Sequence, residues 1–306
     1  MSEADRSKPL DFLDDEARRM VEEAGLPPEA IPSGAFFSSA VEAEVDAGLA
    51  AARREKEAAR EAAVGHAQAE QAASEASKAA GFTPKTGNEL QAEIAARRAA
   101  GDETPLRLGV LLSGSGTNLQ AIIDRIAAGT LNASIELVVS SRPSAYGLQR
   151  AEAAGLQTLT LSKEIYANPM TADEVIASEL LSHKVDYVIM AGYMRMVHAP
   201  ILVTFPNRVV NLHPALLPSF PGAHAIAEAY ERGVKVTGVT VHLANADYDA
   251  GPIIAQRPVE VREGWSCDEL EAAIHDVEHV LYPDTIQLLA EGRVTVRPDG
   301  VVEVSA

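Results

Sequence analysis

LRLGVLLSGSGTNLQAIIDRIAAG, residues 106–129, is the stretch on which the fold turns. An apolar run over 106–113 meets GSGTN (114–118), and Leu119, Ile122, Ile123 and Ile126 then recur on one helical face. The pattern is strand, tight loop, helix. At the carboxyl end of a strand, backbone N–H groups and a helix N-terminus surround an anion, so this loop is a candidate phosphate holder. It is not the dinucleotide fingerprint, because the third glycine of G-x-G-x-x-G is missing and Leu119 stands in that region.

Outward from this unit the alternation continues. IELVVS (135–140) precedes a helix around Ala145 to Ala154, LQTLTL (156–161) precedes one from Asp173 to Ser182, and DYVIMA (186–191) precedes a short turn. RVVNLH (208–213), a helix around His224 to Arg232, VTGVTVHLA (236–244) and GPIIAQRPVEV (251–261) extend the sheet. A long helix from Cys267 to Ala290 closes it, with Gly292 as its stop signal. Strands alternating with helices predict an α/β fold: an open, mostly parallel, twisted sheet with helices on both faces.

Residues 1–104 read differently, as a helical N-terminal extension of unassigned function ahead of a catalytic domain at 105–306. Its 41–80 stretch is rich in Ala and Glu and poor in large apolar residues, which predicts a long surface-like helix with His66 as a surface residue. A shorter helix is expected from Asp11 to Ala24, and Pro84 to Thr104 reads as a short helix inside a linker. An arm with so little to bury is expected to pack on the other half, to stay solvated, or to serve assembly, homo-oligomers included.

The chain carries 44 Asp plus Glu against 26 Lys plus Arg, a formal net charge of −18. Without a concentrated basic patch, that balance argues against nucleic acid and anionic membrane as partners. A single cysteine, Cys267, excludes a disulfide scaffold and a thiolate metal cluster, and fits a reducing, cytoplasmic compartment. No apolar run is long enough to span a membrane, and no export signal is seen.

The densest polar cluster is NLHP. Asn211 and His213 are two apart at the end of an apolar strand and so point to one side. An amide donor beside an imidazole suits a reaction in which a carbonyl oxygen gains negative charge while an amine loses a proton. HLANADYDAGP then supplies His242, Asp247 and Asp249, of which Asp249 is a candidate to orient His213. There is no nucleophile-elbow serine, no H-E-x-x-H and no paired cysteine, so serine hydrolysis and zinc catalysis lack support and no metal is expected. Acyl transfer without a covalent intermediate remains.

These residues carry a resemblance. From about 106 to 291 the chain resembles the phosphoribosylglycinamide formyltransferases, folate-dependent enzymes of purine synthesis, through VLLSGSGTNLQAII, AGYMRM, NLHPALLPSFPGAH, VTGVTVHL, the DAGPII turn and EHVLYP. The resemblance implies a Rossmann-like formyltransferase fold. It also implies two small-molecule substrates: N10-formyltetrahydrofolate as co-substrate and glycinamide ribonucleotide as acceptor. Asn211 would hold the formyl oxygen, His213 would stabilise its charge and help move protons, and Asp249 would hold His213 and assist proton transfer. Ser115, Gly116, Thr117 and Asn118 would hold the phosphate, Met194 and Pro214 the glycinamide end, and Glu278 the ribose hydroxyls. The pterin would enter by Arg195, Met196 and Val197 and by the loop Ala244, Asn245, Ala246, Asp247 and Asp249.

Family members commonly carry an arginine near the start of the helix after the third strand, where it helps neutralise the phosphate. An ungapped placement puts Asp173 there, which shifts the burden to backbone donors or to Lys163. Cys267 is expected outside the site, as a small apolar filler. The same catalytic trio also fits formyltetrahydrofolate hydrolase and other formyltransferases of this fold, and a nonenzymatic scaffold is the reading from a different class.

Overall fold

The computed structural model describes residues 83–305; the helices expected within 1–82, with His66, lie outside the described residues. A seven-stranded sheet runs in the order β3-β2-β1-β4-β5-β6-β7, with β1 at Leu106–Leu112, β2 at Ala133–Ser140, β3 at Thr158–Thr160, β4 at Tyr187–Met190, β5 at Val209–His213, β6 at Val236–Leu243 and β7 at Ile253–Glu260. The first five pair in parallel, and β6 and β7 are added antiparallel.

Alternation along the central strands builds two cores. In β1, Leu106, Leu108, Val110 and Leu112 enter one apolar cluster while Leu111 enters the other; in β4, Tyr187 and Ile189 part from Val188 and Met190 in the same way. The first cluster is covered by α1 (Gly87–Ala99), α2 (Thr117–Ala127), α3 (Tyr146–Ala153) and α8 (Cys267–Ala290), the second by α4 (Lys163–Tyr166), α5 (Pro169–Ser182) and α6 (Ala199–Thr204). A further helix, α7 (Ala225–Glu231), lies between β5 and β6 in the chain.

Helix α1 corrects the linker reading of Pro84 to Thr104. Leu90 and Ile94, one helical turn apart, are buried in the same cluster as β1. Between them, Gln91 donates to the carbonyl of Leu289 (2.9 Å) and to Tyr187 Oη (3.1 Å), and accepts the N–H of Val294 (3.0 Å). Two apolar residues and one amide were too small a periodic signal, yet they tie α1 to the body. The short turn expected after β4 includes the helix α6, and a terminal hairpin of β8 (Val294–Val296) and β9 (Val302–Val304) was not expected. Among the described residues no helix is long and apolar enough to cross a membrane.

Strand order reverses between β1 and β4, because β1 to β3 build one way and β4 to β7 the other. In open α/β sheets the crevice at such a reversal, outside the carboxyl ends of the strands, is where ligands bind.

Candidate active site

A cavity of about 770 Å³ opens at that crevice. Its floor at the β1 end is the Ser113 to Asn118 loop. Gly116 caps α2 with φ 71°, and a Cβ built there would lie 2.5 Å from the Cα of Gly147, so glycine is required for both conformation and space. The first turn of α2 holds no acidic residue, leaving its N–H groups and positive dipole end available to an anion. Asn118, nearly buried, donates to Glu278 Oε2 (2.9 Å), and its own Oδ1 is buried without a protein partner. His275 Nδ1 meets the same Glu278 oxygen at 2.9 Å, so both partners converge on Oε2 and leave Oε1 for a ligand.

At the other end of the crevice, strand parity brings Asn211 and His213 to one side of β5. His213 Nδ1 lies 3.3 Å from Asp249 Oδ2, and His213 Nε2 lies 2.7 Å from the carbonyl of Phe220. Both ring nitrogens therefore face acceptors, and only the doubly protonated ring donates to both. Asp249 holds φ 53°, a left-handed conformation that aspartate tolerates better than most residues, and accepts the N–H of Gly222 at 2.9 Å. Burial acts to raise its pKa; the facing His242, the Gly222 N–H and the nearby His213 together outweigh it and hold the carboxyl below its usual range.

The sequence reading left His242 without a role. It stands directly opposite Asn211 in the antiparallel β5–β6 register, a pairing that emerges only once the strands are aligned. Asn211 Nδ2 lies 3.1 Å from His242 Nε2, and His242 Nδ1 lies 3.1 Å from the carbonyl of Leu243. Because a carbonyl only accepts, Nδ1 donates to it; Nε2, which also lies 3.7 Å from Asp249 Oδ1, accepts from the Asn211 amide in the neutral ring and donates to the carboxylate in the charged one. One N–H of Asn211 is thereby anchored and the other is available to a cavity oxygen.

The structure brings the expected substrate and carrier residues onto this one cavity: Ser115, Gly116, Thr117, Asn118, Met194, Pro214 and Glu278, together with Arg195, Met196, Val197, Ala244, Asn245, Asp247 and Asp249. Ala246 is the exception and is not on the lining. Met194, with 72% of its surface exposed, is no core residue.

Two expectations change. Asp173 does not confront the anion loop; its carboxylate accepts from the backbone N–H (2.6 Å) and faces Nδ1 (3.0 Å) of His198 at the start of α6, and it borders a separate cavity with Pro169, Arg195 and His198. Its carboxylate is held by the start of α6, and it is not on the lining of the main cavity. Cys267 is half-buried on the wall of the main cavity and is not a filler outside it, because α8 begins there.

Comparison with known proteins gives a consistent picture. A family model described as formyl transferase matches residues 106–286. The phosphoribosylglycinamide formyltransferase of Bacillus subtilis (strain 168) is 37% identical over 183 residues, covering 60% of this chain and 94% of that protein. The trifunctional purine biosynthetic protein adenosine-3 of Homo sapiens is 38% identical over 196 residues, 64% of this chain; the match spans 19% of that protein's length. The crystal structure of glycinamide ribonucleotide transformylase 1 from Symbiobacterium toebii superposes with a TM-score of 0.64 at 45% identity, covering 66% of this chain and 95% of that one.

Proposed function

This chain belongs to the formyl transferase family, and from that premise we propose that it transfers the formyl group of N10-formyltetrahydrofolate to the primary amine of glycinamide ribonucleotide, a step of purine synthesis. The observation that carries the reading is the single crevice in which the Gly116 anion loop and the Asn211, His213 and Asp249 side chains converge.

The amine nitrogen attacks the formyl carbon, and the formyl oxygen takes up negative charge. The free N–H of Asn211 donates to that oxygen as the charge develops, and the His213 imidazole stabilises it electrostatically. As the intermediate collapses, the bond from carbon to N10 breaks. The amine loses a proton and N10 gains one, with Asp249 and His213 as the acid-base pair beside the reacting centre. Ser115, Gly116, Thr117 and Asn118 hold the phosphate, Glu278 the ribose hydroxyls, and Met194 and Pro214 the glycinamide end. The carrier's pterin lies against Arg195, Met196, Val197 and the 244–249 loop. No metal enters these steps.

The test is release of tetrahydrofolate followed by absorbance, with and without the ribonucleotide. Turnover is expected to require the acceptor. Equal turnover without it would point to a formyltetrahydrofolate hydrolase, and no turnover in either case to a nonenzymatic role.

A further inference from the structure

We infer that Arg142 supplies the counter-charge for the acceptor's phosphate, an inference that rests on the formyl transfer reading above. The cavity wall carries two guanidinium groups, those of Arg142 and Arg195, and no lysine. Arg195 is committed elsewhere: its Nη2 donates to the carbonyl of Tyr166 at 3.0 Å, and its guanidinium lies 4.4 Å from the centre of the Tyr166 ring. Lys163, at the start of α4, borders neither that cavity nor the one beside Asp173. Arg142 is exposed and takes no part in an ion pair among the described residues.

The loop that presents Arg142 is fastened to the anion loop. Ser141 Oγ lies 2.6 Å from Ser113 Oγ, the Gly147 N–H donates to the Gly114 carbonyl (3.0 Å), and Arg150 Nε donates to the Ser115 carbonyl (2.9 Å). The backbone of Arg142 is itself clamped by the buried Ser140, whose hydroxyl accepts its N–H (3.2 Å) and donates to its carbonyl (2.8 Å). A guanidinium is thus launched from a fixed point beside the ring of backbone donors; the Arg150 guanidinium next to that ring is engaged with the Ser115 carbonyl and with Gln120 and is not on the cavity wall. Its planar fork matches two phosphate oxygens, and in a chain of net charge −18 a cation at the mouth offsets the repulsion a dianionic substrate meets.

The experiment compares the full-length chain with Arg142→Ala and Arg142→Lys, using glycinamide ribonucleotide and its phosphate-free riboside as acceptors. Arg142→Ala should raise KM for the ribonucleotide about 10- to 100-fold and shrink the preference for ribonucleotide over riboside by the same factor, with Arg142→Lys in between. An unchanged KM, or equal losses on both acceptors, overturns the assignment while leaving formyl transfer intact. Calorimetric titration with ribose 5-phosphate separates the two readings. Binding that weakens in Arg142→Ala supports the counter-charge even if no formyl transfer is detected, and no binding, or equal binding by both proteins, overturns it.

Discussion

Nδ1 of His213 and Oδ2 of Asp249 lie 3.3 Å apart, with both side chains 4% exposed. At that distance and burial the carboxylate fixes the orientation of the ring. Asp249→Asn keeps the volume and removes the charge, and is expected to lower kcat about 100-fold or more with little change in acceptor KM. Near-normal kcat in a folded variant would remove Asp249 from the chemistry.

The same carboxylate makes a pH prediction. Its pKa in the folded chain is depressed below the ordinary 3.8, so its ionised form contributes stability in full above that value and loses it as pH falls through the folded pKa. Wild-type stability should therefore drop more steeply from about pH 4 downward than that of Asp249→Asn. Urea denaturation across that range checks it; parallel curves would show that Asp249 is not held by its neighbours.

His242 is expected to act through Asn211, whose amide it anchors at 3.1 Å. His242→Leu removes the acceptor, leaves the amide free to turn, and should reduce kcat about 10- to 100-fold, part of the loss typical for deleting an oxyanion donor. His242→Gln offers another acceptor and should recover part of it. Equal losses in the two variants, or a change confined to KM, would argue for a packing role instead.

Much of this was legible in the sequence, because period-2 and period-3.6 patterns report faces directly. Parity alone put Asn211 and His213 on one side of β5, and the apolar run of 106–113 with its glycine loop fixed the crevice end of β1. What the sequence hid depends on register and on who faces whom. His242 meets Asn211 only through antiparallel pairing with β6, and Asp173 caps α6 from a different helix. A single acidic residue in a helix reads the same whether it faces a ligand, solvent or another helix's N-terminus. Helix α1 shows the same limit for packing, since Leu90 and Ile94 are too few to announce burial.

Gly116 and Gly114 sit two apart in one loop and should respond differently to the same methyl. At Gly116 a Cβ would strike the Gly147 backbone at 2.5 Å with φ at 71°, whereas a Cβ at Gly114 meets nothing within 4 Å. Gly116→Ala is expected to cost about 1–3 kcal/mol and to raise acceptor KM, and Gly114→Ala to cost under about 1 kcal/mol. Chemical denaturation of both variants decides it, and equal stabilities would mean that the α2 entry is more plastic than its geometry implies.

His275 gives the opposite pH sign from Asp249. Its hydrogen bond to Glu278 raises its pKa above the ordinary 6.5, against the opposing effect of burial, with Glu271 adding to the rise. The groups facing it are Glu278 at 2.9 Å, Glu271 at 3.5 Å and the stacked ring of His279. A raised folded pKa means the pair's contribution is fully present below 6.5 and is lost as pH rises through the folded value. With 39% of the side chain exposed, solvent screening limits that contribution to no more than about 1 kcal/mol. His275→Gln should therefore melt below wild type by a few degrees (~2–4 °C) near pH 6, and the gap should close towards pH 9. A gap that stays constant or widens with pH would mean that His275 stabilises α8 by packing and that its charge is not shared with Glu278.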